Sequence, residues 1–155
     1  MINLVGEHII SVDDIADRLL SANPEHFKIA IKPDTVQGFE LYTEEGILKE
    51  YQQCYYMVDG MYSIHKGTHC LYVGESGRSI GTRLSRWIKE INQKSRPDES
   101  HSAAKKYRSM WGSDLNGMTV RLYPCREQGS FSRKQIEKAL IRKLTPLLNV
   151  RGKTA

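Results

Sequence analysis

A pair of tyrosine–glycine motifs in the middle of the chain constrains its fold more than any other feature. Gly60-Met61-Tyr62 and Tyr72-Val73-Gly74 each lie in a run rich in aromatic and β-branched residues, and His65-Lys66-Gly67-Thr68 separates the two runs. Such runs on either side of a glycine-containing turn are typical of a β-hairpin. The hairpin would bring Tyr62 and Tyr72 close together in space.

The rest of the chain alternates between helical and strand-like patterns. Apolar spacing and capping residues predict helices over residues 11–21, 44–53, 79–94 and 103–110, and a last helix that begins at a capping box in residues 132–135. Alternation of apolar and polar residues predicts strands over residues 27–32 and 118–123, and residues 54–58 would lead into the hairpin.

Charge is divided unevenly along the chain. Residues 1–59 contain 4 Lys+Arg and 11 Asp+Glu, a net charge of −7, whereas residues 60–155 contain 19 Lys+Arg and 7 Asp+Glu, a net charge of +12. A strongly basic segment favours a polyanionic partner, because each neutralised phosphate releases counterions. The alternative is a solvated surface that happens to be cationic.

Three more residues extend the tyrosine–glycine pattern in a recognisable order. Arg83 lies on the helix predicted after Tyr72-Val73-Gly74, Glu137 lies on the last helix, and Asn149 closes the segment Pro146-Leu147-Leu148-Asn149. Together these markers resemble the GIY-YIG nuclease family over roughly residues 54–151, in the manner of its small phage endonucleases and restriction enzymes. The resemblance and the element pattern imply an α/β fold of the α+β type, with a small, mainly antiparallel, three-stranded sheet flanked by helices.

The resemblance also implies a chemistry, the metal-dependent hydrolysis of DNA to 5′-phosphate and 3′-hydroxyl ends. Glu137 would hold one Mg²⁺ or Mn²⁺, for which carboxylate oxygen is a suitable ligand, and Arg83 would bind the scissile phosphate. Tyr62 would deprotonate the attacking water, and Tyr72 would position the water or the phosphate. Supporting roles near the site fall to Gly60, Gly74 and Asn149.

Each of these residues also has a structural interpretation. The tyrosines could be half-buried sheet residues, Arg83 a surface arginine, and Glu137 one half of a helix salt bridge with Arg133. A non-catalytic nucleic-acid-binding module on the same scaffold is therefore the alternative function.

Five other residues, near the motifs or further along the chain, raise separate questions. Many relatives carry a histidine where this chain has Trp87, which is expected to pack in the core or stack on a base. The histidine's task could have moved to His65, His69 or His101, although two histidines at a turn are weak evidence for zinc. Glu75, beside Gly74, is expected to be a solvated loop carboxylate rather than a second acid.

Cations of the basic segment are the candidates for DNA contact. They would grip backbone phosphates without reading sequence, and they are Lys66, Arg78, Arg86, Lys105, Lys106 and Arg108. Cleavage of both strands would require two protomers or sequential nicking, so a homodimer is a possible assembly.

Two regions are expected, with different tasks. Residues 54–155 would form the nuclease domain, and residues 1–53 an acidic extension packed on it, with partner binding or self-inhibition as a further hypothesis. Three cysteines without a Cys-x-x-Cys pair, no secretory leader and only short apolar runs predict free thiols in a cytoplasmic protein.

Overall fold

One antiparallel sheet runs through most of the protein. The computed structural model describes residues 11–22, 26–32, 34–35, 38–49, 60–76, 80–92, 102–124 and 131–149. Within them the strands are β1 (His26–Ile31), β2 (Phe39–Tyr42), β3 (Leu48–Lys49), β4 (Gly60–Lys66), β5 (His69–Ser76) and β6 (Met118–Pro124). Their order across the sheet is β3-β2-β1-β6-β4-β5, which places β5 at one edge.

The sheet is larger than the three strands predicted, although the α+β class is confirmed. β1 pairs with β6 through Phe27 and Val120, so the strands of the acidic extension continue the same sheet as the hairpin. The pairing joins residues nearly a hundred positions apart, and local patterns carry no information about such a partner.

Four helices cover the two faces of the sheet in the described part of the chain. They are α1 (Val12–Ser21), α2 (Ile80–Ile91), α3 (Ser102–Trp111) and α4 (Arg133–Leu144). The Ser11 side chain caps α1 by accepting from the Asp14 amide at 3.2 Å, and Ser132 and Gln135 form the predicted capping box of α4. None of the helices in these described ranges is long and apolar enough to cross a membrane.

The helix predicted over residues 44–53 is wrong for its described part. The amide of Gly46 donates to the Thr43 carbonyl at 2.9 Å, and the amide of Thr43 donates to the Ile47 carbonyl at 2.8 Å. Gly46 has a φ of 89°, which glycine adopts without steric cost. The segment therefore turns from β2 into β3. Residues 50–53 and the strand predicted over residues 54–58 lie outside the described residues.

Two apolar layers result from the alternation of side chains along the strands. Tyr62 and Ile64 of β4 face α2 and α3, where the predicted stripe of α2 is fully buried around Trp87. Met61 of β4 faces α1 and α4 on the other side. The hairpin thus separates two helical layers, and its alternate residues belong to different cores.

Helix α1 belongs to the core and is not a loose appendage. Ile15, Ala16 and Leu19 are completely buried and pack in the same cluster as Ile136 and Leu140 of α4. Removing residues 1–50 would therefore remove part of the core together with the acidic charge. A truncation of this kind cannot separate regulation by the extension from its contribution to folding.

A polar network is buried beneath α1 and α4. The Ser63 hydroxyl lies 2.7 Å from His65 Nε2 and 2.9 Å from the Tyr123 hydroxyl. Burial, together with the smaller effects of the nearby Arg121 and His26, lowers the pKa of His65 from 6.5 to about 4. His65 therefore lies on the face of the sheet opposite Tyr62, as a neutral buried side chain and not as a surface residue of the turn.

The depressed pKa of His65 predicts acid sensitivity. The unfolded chain takes up a proton near pH 6.5 and the folded chain only near pH 4, so unfolding binds protons in this window and stability falls as the pH falls. The loss approaches about 1.4 kcal/mol per pH unit. Urea denaturation between pH 7 and 4.5 should show a steeper decline for the wild type than for His65→Gln. Equal slopes would contradict the assignment.

Candidate active site

Tyr62 lies across the edge strand of the sheet at Gly74. The two residues are paired between β4 and β5, and the Tyr62 side chain is 1 % exposed. A β-carbon at Gly74 would lie only 2.6 Å from the Cζ and the hydroxyl of Tyr62. The tyrosine of the first motif therefore fits only because the glycine of the second motif has no side chain.

Tyr72 links this phenol to the aromatic core. Its ring centroid lies 6.1 Å from that of Tyr62 and 6.1 Å from that of Trp87. Trp87 is completely buried, which confirms its expected core position and prevents it from stacking on a base. Tyr72 itself is half-buried and so keeps part of its ring accessible.

The charged markers of the family pattern converge on Tyr62. Burial raises its pKa well above 10, and Tyr72, Glu137 and Glu75 raise it further, whereas Arg83 opposes them. All four side chains therefore lie within electrostatic reach of one hydroxyl. Arg83 is exposed. Because the phenol stays protonated at neutral pH, it is a hydrogen-bond donor and not a ready base.

Glu137 is a half-buried carboxylate with an unusual affinity for protons. Its pKa is raised from 4.5 to about 7, mainly by burial and also by the negative charge of Glu75, against the opposing effect of Lys134, Arg83 and Lys138. A carboxylate in such surroundings gains from a cation beside it.

The donor set at this position suits a hard divalent cation. No three His, Cys, Asp or Glu side chains of the described ranges form a cluster that could hold a metal ion. A single carboxylate is nevertheless enough for Mg²⁺, which usually keeps several waters and binds substrate phosphate oxygens. Glu137 fits that limited requirement.

Glu75 occupies a strand and not the solvated loop that its sequence context indicated. Its side chain is 15 % exposed, and its carboxylate lies 3.4 Å from Arg133 Nε and 4.0 Å from Lys134 Nζ. Both cations belong to the first turn of α4, one turn before Glu137. Glu75 therefore fastens the start of α4 to the edge strand and contributes negative charge beside Glu137.

Asn149 completes the edge of the sheet beside the site. Its Oδ1 accepts from the Val73 amide and its Nδ2 donates to the Val73 carbonyl, each at 2.9 Å. The amides of Leu147 and Leu148 donate to the carbonyls of Cys70 and Leu71. Asn149 thus holds the backbone of the second motif. Gly60 has a φ of 146°, a conformation that favours glycine.

Three of the predicted DNA-contact residues contact other groups of the protein. Lys66 Nζ donates to the Tyr107 hydroxyl at 3.1 Å and to the Asn116 carbonyl at 2.7 Å. Lys105 and Arg108 each approach the buried carboxylate of Glu90 at 3.9 Å.

The remaining predicted contacts are divided between exposed and undescribed positions. Arg86 and Lys106 are exposed, and Arg78 and His101 lie outside the described residues. The sequence analysis did not include Lys134 and Lys138 among the residues near Glu137. Their positions, three residues before and one residue after Glu137 on the same helix, would have indicated it. His69 is exposed in the hairpin turn, four positions beyond the buried His65.

No family model, curated protein or solved structure matches this chain. The resemblance to the GIY-YIG nucleases therefore rests on the order of its motifs and on the grouping of their side chains.

The close approach of the Tyr62 ring to Gly74 predicts that Gly74→Ala lowers stability in the wild type but not in a Tyr62→Ala variant. Gly74→Ala should destabilise the protein by about 1–3 kcal/mol through overlap with the Tyr62 ring. In a Tyr62→Ala background the ring is absent, and the same substitution should be neutral or stabilising by up to about 1 kcal/mol, through reduced freedom of the unfolded chain. Urea denaturation of the four proteins measures both effects. Equal costs in the two backgrounds would refute the contact.

Proposed function

We propose that this protein is a metal-dependent DNA endonuclease of the GIY-YIG type, which leaves 5′-phosphate and 3′-hydroxyl ends. The observation that carries the proposal is that Tyr72, Arg83 and Glu137 lie within electrostatic reach of the Tyr62 phenol, which packs against Gly74 at the edge of the sheet. Phosphodiester hydrolysis needs stabilisation of charge on the phosphate and assistance to the departing oxygen. The four side chains offer groups for both tasks.

Arg83 and Glu137 would each stabilise part of the negative charge of the reaction, Arg83 directly and Glu137 through a bound cation. The exposed guanidinium of Arg83 is free to turn toward a phosphate and is suited to bidentate contact with its oxygens. Glu137 would hold the cation, which when bound stabilises negative charge on the leaving 3′ oxygen.

The tyrosines would orient the reacting groups. With its pKa raised well above 10, the Tyr62 phenol would donate a hydrogen bond to a phosphate oxygen or to the attacking water. This assignment replaces its role as a general base, because a protonated phenol cannot take up the proton of the water. Tyr72, packed against the Tyr62 ring, would limit the positions that this hydroxyl can adopt.

The raised pKa of Tyr62 also favours one alternative, a nucleic-acid-binding module that does not cut. Such a module would bind DNA through Arg83 and the exposed lysines of α4, and would not depend on Glu137. The two functions differ in their response to a divalent cation and to the loss of one carboxylate.

Glu137→Gln should lower the rate of plasmid nicking with Mg²⁺ or Mn²⁺ by on the order of a hundredfold or more. Because the substitution keeps the shape of the side chain, DNA binding and the melting temperature should change little. Glu45→Gln, at an exposed position of the β2–β3 turn, is the matched control and should nick like the wild type.

The products provide a second test of the same reaction. DNA ligase should reseal the nicked plasmid without prior phosphorylation, since it requires a 5′-phosphate and a 3′-hydroxyl. Nicking that persists in Glu137→Gln would overturn the role of Glu137. A wild type that binds DNA but never nicks it would favour the binding module.

The pKa of Glu137 predicts the pH dependence of cation binding. Since its pKa is about 7, protons compete with the cation below that value. The apparent affinity for Mg²⁺ should fall by up to about tenfold for each pH unit below 7. Mg²⁺ titrations of the nicking rate between pH 5.5 and 8.5 measure this shift, and a midpoint that is constant over the range would contradict it.

A further inference from the structure

Helix α4 carries a stripe of basic side chains that extends well beyond the catalytic group. Lys134, Lys138 and Arg142 follow one another at intervals of four residues, so they lie along one face of the helix. Lys143 adds a further cation beside Arg142. Glu137 lies between the first two lysines in the sequence, which places the stripe directly alongside the candidate site.

The C-terminal half of this stripe is neutralised by α1. Arg142 Nη2 lies 3.2 Å from Asp13 Oδ1, and Lys143 Nζ lies 2.9 Å from Asp17 Oδ1. The hydrogen bond to Asp17 raises the pKa of Lys143. These two aspartates stand one turn apart on α1, whereas their partners Arg142 and Lys143 are consecutive residues near the end of α4.

The N-terminal half of the stripe stays open to a ligand. Lys138 is exposed, and the Lys134 side chain is 78 % exposed, with Glu75 at 4.0 Å as a distant partner. Arg108 of α3 contrasts with this arrangement, since its Nη1 donates to the backbone carbonyl of the buried Glu90 at 2.6 Å.

We propose that α1 is an electrostatic boundary for DNA on this protein. Lys134 and Lys138 bind backbone phosphates beside Glu137, whereas Asp13 and Asp17 neutralise the rest of the stripe and repel a strand that would follow it further. The phosphate backbone is thereby confined to the end of α4 that adjoins Arg83. This inference rests on the proposed function for its partner, but it assigns different residues.

The boundary also assigns a function to Asp13 and Asp17, two acidic residues of the extension. Because α1 is held to α4 by buried apolar residues, it does not need its exposed ion pairs for docking, and exposed pairs contribute little to stability. Asp13 and Asp17 can therefore be changed without loss of the fold, which makes their effect on DNA measurable.

The experiment measures the affinity of a fluorescent DNA duplex over a range of salt concentrations, with all variants built on Glu137→Gln so that cleavage does not interfere. Lys134→Gln with Lys138→Gln should weaken binding by about tenfold or more near 0.1 M salt and reduce the salt slope by about 1 to 2. Lys105→Gln with Lys106→Gln removes the same charge from α3 and should have a smaller effect.

Removing the negative charges of Asp13 and Asp17 should strengthen DNA binding. Asp13→Asn with Asp17→Asn frees two cations and should tighten binding by about threefold to tenfold with a steeper salt slope. Asp34→Asn with Glu45→Gln makes the same change of net charge at exposed positions away from α4 and should leave the slope almost unchanged. Melting temperatures check that each variant is folded.

The outcomes separate this inference from the function on which it rests. If the α3 pair weakens binding more than the α4 pair, or if the aspartate variants behave like their control, the boundary is refuted while the nuclease remains possible. If Glu137→Gln protein and wild type both fail to bind any duplex, the DNA partner is wrong and the boundary falls with it.

Discussion

The approach of the Tyr62 ring to Gly74 determines where the side chains of the candidate site lie. Tyr62 is on an interior strand, yet its hydroxyl reaches the edge of the sheet because Gly74 has no side chain to stop it. At that edge the phenol lies within electrostatic reach of Arg83 on α2 and of Glu137 on α4. A side chain at position 74 would overlap the Tyr62 ring, so the phenol could not keep this position.

The burial that makes this arrangement rigid also sets its chemistry. A fully enclosed phenol and a half-enclosed carboxylate both hold their protons more firmly than in water, and Glu75 strengthens the effect in each. The tyrosine is then better suited to orienting than to accepting protons, and the carboxylate is ready for a positive ligand. Both properties follow from packing and not from the identity of the residues alone.

Local sequence patterns predicted the parts of the structure that depend on local interactions. The hairpin, the N-cap of α1, the capping box of α4 and the apolar stripe of α2 are all determined by neighbours within a few residues. The extent of the sheet was missed because β1 finds its partner in β6, far along the chain. The tasks of Lys66 and Arg108 were missed for a similar reason, since their partners belong to other elements. Positive charge in a sequence does not reveal which cations are already engaged.

The segment 147–149 has a consequence for assembly. A bare sheet edge offers unpaired amides and carbonyls to any extended chain that meets it. Here two backbone amides donate to the carbonyls of Cys70 and Leu71, and the side-chain amide of Asn149 bonds to both backbone groups of Val73, so the protein covers this part of its own edge beside Gly74. A second copy could not lengthen the sheet there without first displacing residues 147–149.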